Sequence, residues 1–89
     1  MTIDNEATVN EHNIVSMDCR SIVDVRNGNF VRYDFTVVLV QQENGYLCAY
    51  RGIGSREHAQ LIARHGDPLT LKEAQGHFPI GLTENIYQL

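Results

Sequence analysis

The chain has 89 residues, enough for one domain with one core. Its net charge of −4 with His neutral argues against non-specific nucleic-acid binding and against docking on an anionic membrane, both of which need clustered cations. No run approaches the ~20 apolar residues of a membrane span. Residues Met1 to Asn13 have neither a basic start nor an apolar stretch, so the expected location is the cytoplasm. Cys19 and Cys48 match no zinc-ribbon spacing and are expected to be reduced thiols packed in strands.

The segment 1–13 is polar and acidic, with Asp4, Glu6 and Glu11 and no sustained period. It reads as a flexible acidic tail, leaving 14–89 as a single α+β domain. The dipeptides Asn27-Gly28 and Asn44-Gly45 each sit between apolar-alternating runs. Asn-Gly tolerates the two positive φ values that a type I′ hairpin turn demands. Together they predict a three-stranded antiparallel β-meander, with strands near Ile14–Arg26, Asn29–Gln42 and Tyr46–Arg51.

If Asn44-Gly45 is a two-residue loop, Glu43 opposes Tyr46, Gln41 opposes Cys48 and Leu39 opposes Tyr50. One sheet face then holds Phe35, Val37, Leu39, Cys48 and Tyr50, and the other Val38, Val40, Leu47 and Ala49. A sheet with one wet face alternates cleanly between apolar and polar residues. The run from Phe35 to Val40 does not, so both faces must be covered. The expectation is helices on one face and a second copy of the chain on the other.

Ser55 reads as an N-cap, Glu57 as a first-turn acid, Arg64 and His65 as last-turn cations and Gly66 as the C′ glycine of a first short helix. Its small apolar stripe is Ala59, Ile62 and Ala63, with Leu61 at the edge. Asp67-Pro68 signals a turn. Thr70 to Glu73 form a capping box flanked by the staple pair Leu69 and Ala74, which opens a second short helix ended by Pro79. Phe78 and Ile80 are expected in the core. Alternation in residues 85–89 permits a fourth, C-terminal edge strand. The predicted fold is thus a meander with two short C-terminal helices packed on one face.

Several constellations could carry function. Arg51-Gly52-Ile53-Gly54-Ser55-Arg56 joins a strand to a helix start, where free amides, two glycines and two guanidinium groups could hold a phosphate or carboxylate. His58 and His65 are two helical turns apart, too far to share a metal easily. His77 could join them only through tertiary folding. Cys48 could act as a nucleophile only beside a base; a structural thiol is the preferred reading. Phe30, Tyr33, Tyr46 and Tyr50 with Arg32 and Arg51 could stack bases, but the charge opposes this, and such residues also favour protein interfaces.

No paired carboxylates, catalytic triad or cofactor motif stand out, so no metal or cofactor is expected. The preferred function is a small non-catalytic protein-interaction module. It would self-associate as a homodimer through an exposed sheet face carrying Val38, Val40, Leu47, Tyr33 and Tyr46. The alternative is a small-anion or nucleotide-responsive regulatory domain using Arg51, Gly52, Gly54, Ser55 and Arg56.

Overall fold

The computed structural model of the protein describes residues 12–84 and Ile86. An antiparallel meander of β1 (Asn13–Arg26), β2 (Asn29–Gln41) and β3 (Leu47–Ile53) is followed by a 3₁₀ turn (Arg56–His58) running into helix α1 (Ala59–His65). A two-residue strand β4 (Asp67–Pro68) and two short helices, α2 (Leu71–Gln75) and α3 (Ile80–Thr83), complete the elements of the described residues. The sheet order is β1-β2-β3-β4, giving the α+β class expected from the sequence. Met1 to Glu11, most of the expected tail, and Asn85 with Tyr87 to Leu89 of the expected last strand lie outside the described residues. The expected tail does not extend to Asn13, which opens β1.

The two Asn-Gly dipeptides fold differently. Asn27 and Gly28 both have positive φ, at 52° and 78°, and Arg26 pairs with Asn29, as a two-residue hairpin requires. At the second reversal only Gly45 is left-handed, with φ 90°. The Gly45 amide donates to the Gln42 carbonyl at 2.9 Å, and the Gln42 amide donates to the Tyr46 carbonyl at 2.8 Å. This is a three-residue loop, a tight turn followed by a left-handed glycine. The Tyr46 amide also donates to Asn44 Oδ1 at 3.0 Å, so the asparagine serves through its side chain.

The longer loop corrects the expected register by one residue. Val40 opposes Cys48, Leu39 opposes Ala49 and Val38 opposes Tyr50. A one-residue slip exchanges the faces of a whole strand. Leu47 and Ala49 therefore join Phe35, Val37 and Leu39 on what we call the front face, while Cys48 and Tyr50 join Val38 and Val40 on the back.

The helices do not share a face, contrary to expectation. On the back, α1 lays Ala59, Ile62 and Ala63 on Val38 and Val40, with Ile14, Met17 and Tyr50 at the margin. On the front, Ala74 of α2 and the following Phe78 close over Phe35, Val37, Leu39 and Ala49. The unbroken apolar run of β2 is thereby buried on both sides by the chain's own helical segments, and no second copy is needed there. Two chain directions out of the sheet make this possible. The turn after β3 drops to the back, and β4 then returns along the edge of β3, pairing Asp67 with Arg51 and Pro68 with Tyr50, before α2 crosses the front. Proline is tolerated in such an edge position because its missing N–H breaks no ladder bond.

Phe78 is buried as expected, but Ile80 points to solvent. The second helix stops at its C-cap Gly76, ahead of Pro79, which instead serves as N-cap of α3. Of the expected C-terminal strand, Ile86 makes an isolated parallel bridge to Leu47.

Beyond Phe35 the sheet narrows. β3 pairs with β2 only over Phe35 to Gln41, so residues 21–26 and 29–34 form a two-stranded ribbon projecting past the core.

Candidate functional site

The expected anion loop does not assemble. Strand alternation sends Arg51 to the front face, whereas Arg56 opens the turn leading into α1 on the back. Three of the amides around the turn are already used. Gly54 donates to the Asp34 carbonyl at 2.9 Å and Ser55 to His58 Nδ1 at 3.2 Å, while the His58 amide returns to the Ser55 carbonyl. Gly52 serves packing instead: a Cβ there would lie 2.8 Å from Ile62 Cγ1 of α1.

Arg51, for its part, lies among carboxylates. It pairs across the ladder with Asp67, and its charge helps hold Glu73 below the ordinary carboxyl range, after the larger effect of hydrogen bonds from Thr70. Arg51 and Asp67 line a half-open pocket of about 250 Å³ together with Ile22, Tyr33, Phe35, Gly52 and Ile53. The pocket thus holds a guanidinium and a carboxylate together, which gives it little selective pull on an anion.

The histidines diverge. His58 accepts from the Ser55 amide, and His65 sits in the last turn of α1. His77 Nδ1 donates to Asp18 Oδ2 at 2.8 Å on the front of β1. Among the described residues no three of His, Cys, Asp and Glu stand close enough to hold a metal ion.

Cys48 is buried in β3 with Tyr50 as its polar neighbour. Burial pushes the Tyr50 hydroxyl above its ordinary value, and the Cys48 sulfur adds to this. That places the thiol in a packed strand position rather than in an electropositive opening.

The expected interface residues scatter. Val38 and Val40 are sealed beneath α1, and Leu47 is half-buried against the front core. Tyr33 is half-buried in the Arg51 pocket, and Tyr46 sits exposed in the second turn.

The exposed apolar surface instead lies on the ribbon. On its back face Val23, Val25 and Phe30 are 63%, 61% and 80% exposed. A polar group borders them: Ser21 Oγ donates to Asp34 Oδ1 at 2.6 Å, and Arg32 Nη2 donates to Ser21 Oγ at 3.4 Å. Phe30 was singled out in the sequence as a candidate stacking residue. Val23 and Val25 were not, and the signal available for them is the strand length: β1 and β2 are about twice as long as β3 and outrun any cover it provides.

Comparison with protein-family models, curated proteins and solved structures returns no match. No helix among the described residues is long and apolar enough to cross a membrane.

Proposed function

We propose that the protein is a small non-catalytic protein-interaction module that self-associates through its projecting β1–β2 ribbon. One observation carries this reading: Val23, Val25 and Phe30 form an apolar, solvent-facing patch on the back of the ribbon, the face opposite the pocket that Ile22 and Tyr33 line. A lone two-stranded hairpin is marginally stable in water, and aromatic and aliphatic side chains clustered on such an arm favour a protein partner.

The test is sedimentation of the wild-type chain beside Val25→Asp. Val25 is exposed, so the substitution leaves the core intact. The wild type is expected to self-associate at micromolar to submillimolar concentration, and the variant to do so at least tenfold more weakly. A wild-type chain that stays monomeric over the whole range, or a variant that associates equally well, removes the reading.

A further inference from the structure

We infer that two copies of the chain pair antiparallel along the outer edge of β1, with Ile22 facing its own counterpart on the two-fold axis. This rests on the ribbon being the self-associating element, and it adds the register and the contacts.

β1 is an edge strand 14 residues long, and among the described residues no strand lies against its outer side. Edge strands are commonly blunted by proline, charged side chains (lysine above all), bulges or short length, and the charges of β1 are the ones that a second copy would match. β1 contains neither proline nor lysine, and its one irregularity lies at Val15, away from the ribbon. The backbone there is open for pairing. In a two-residue hairpin the residues flanking the turn exchange both hydrogen bonds, so Arg26 and every second residue before it face β2. The N–H and C=O groups of Met17, Cys19, Ser21, Val23 and Val25 then point outward. The Val25 amide fits this reading, because it donates to its own neighbour Asp24 Oδ1 at 2.9 Å instead of into the ladder.

The side chains select the partner. Along the front of β1 the order is Asp18, Arg20, Ile22, Asp24, Arg26. Reversed, this series matches itself with opposite charge. Antiparallel pairing about Ile22 sets Asp18 against Arg26 of the second copy and Arg20 against its Asp24, and each contact occurs twice by symmetry. Ile22 meets Ile22 at the centre. On the back, Val23 faces Ser21, and Val25 faces the exposed Cys19.

The hydrogen-bond phase agrees with this choice. Outward-pointing residues pair with outward-pointing residues, Ser21 with Val23 and Cys19 with Val25. The charged residues fall at the non-hydrogen-bonded positions, where facing side chains are closest. Within the single chain each Arg lies back along its own strand, Arg20 Nε 2.8 Å from Asp18 Oδ2 and Arg26 Nε 3.3 Å from Asp24 Oδ2. The Arg20, Asp24 and Arg26 side chains are 50%, 47% and 62% exposed and can reach a partner, whereas Asp18, at 24%, is also bonded to His77 and offers only its outer edge. A shift of the register by two residues in either direction sets like charges or a charge and Ile22 opposite one another, which disfavours the alternatives.

Charge exchange and cross-linking test this register. The wild type is expected to sediment at twice the 10.1 kDa chain mass. Arg20→Asp, which faces Asp24 of the partner, is expected to weaken association at least tenfold, and adding Asp24→Arg to it to restore the dimer. Independently, Ile22→Cys in a Cys19→Ser background is expected to give a covalent dimer under mild oxidation. Facing Cα atoms at such a position lie about 4.5 Å apart, within disulfide reach. The cross-link keeps the test decisive if Arg20→Asp folds poorly.

Association that is lost in Val25→Asp but unchanged in Arg20→Asp, with no Ile22→Cys cross-link, overturns the edge pairing and leaves the ribbon reading standing. A monomeric wild type overturns both.

Discussion

His77 Nδ1 donates to Asp18 Oδ2 at 2.8 Å, tying the segment after α2 to the middle of β1 across 59 positions of sequence. Arg20 shares the carboxylate and also reaches the Gly76 carbonyl at 3.4 Å. The His77 ring meets Phe35 edge-on at 6.1 Å, so a polar tie and the rim of the front core coincide. This arrangement holds the last third of the chain down on the sheet.

A pH dependence follows from that tie. Burial alone would raise the Asp18 carboxyl, but hydrogen bonds from His77 and Arg20 outweigh it and hold the group below its ordinary value. A carboxyl depressed by folding contributes fully above its unfolded pKa of about 4, and the contribution is lost as pH falls through the folded value. Thermal unfolding followed from pH 7 to pH 2 is expected to show wild type falling more steeply than Asp18→Asn below about pH 4. At pH 7 the variant is expected to be less stable by roughly 1–2 kcal/mol. Parallel curves for the two proteins would show that the tie contributes nothing.

Gly66 ends α1 where helix and sheet touch. Its backbone is extended, with φ −69°, so the left-handed C′ role expected from the sequence is not the reason for the glycine. The reason is space, since a Cβ would lie 2.6 Å from the Ile62 carbonyl oxygen and 2.8 Å from that of Arg51. Both obstacles are main-chain atoms that cannot rotate away. Gly66→Ala is expected to destabilise by about 2 kcal/mol or more, read as a lower urea midpoint.

The capping box at α2 has both of its bonds. The Glu73 amide donates to Thr70 Oγ1 at 3.2 Å, and the Thr70 amide donates to Glu73 Oε1 at 2.9 Å. With only five residues, α2 depends on its cap and on Ala74. Thr70→Ala is expected to cost about 1 kcal/mol in chemical denaturation, whereas Thr70→Ser, which keeps the capping hydroxyl, is expected to be close to neutral.

Phe30 is the counter-case, a large aromatic whose loss is expected to leave folding intact. It is 80% exposed near the tip of the ribbon, so Phe30→Ser is expected to change stability by less than about 0.5 kcal/mol in the monomer. A melting temperature lowered by many degrees would mean that the ring packs against the chain in solution.

Much of this fold was legible because its signals are local. Asn27-Gly28 specifies its turn within two residues, and Thr70 with Glu73 specifies a helix start within four. The run Phe35 to Val40 declares burial on both sides by composition alone. What could not be read required knowledge of partners distant in sequence. Asn44-Gly45 looks identical to Asn27-Gly28 but closes a longer loop, because the Asn44 side chain caps Tyr46 and only Gly45 turns left-handed. That single residue of loop length moved Cys48 and Tyr50 to the back of the sheet.

The surroundings of the Arg51–Arg56 loop were hidden for a similar reason. Its amides are satisfied by Asp34 and His58, a pairing visible only once β2 and the 3₁₀ turn meet. The Asp18–His77 tie likewise has no signature in spacing. The ribbon could be inferred from unequal strand lengths, but its exposure depended on where β3 stops.

The contrast between the two halves of β2 has a kinetic consequence. Thr36 to Leu39 lie in a strand flanked by neighbours and roofed above and below, whereas Phe30 to Asp34 belong to the open arm. Deuterium should enter the amides of the arm at small opening energies and those of the rooted half only when the whole domain comes apart. The molecule would then behave as a pliant blade on a stiff hilt, and any contact that quenches exchange along the blade would report its grip directly.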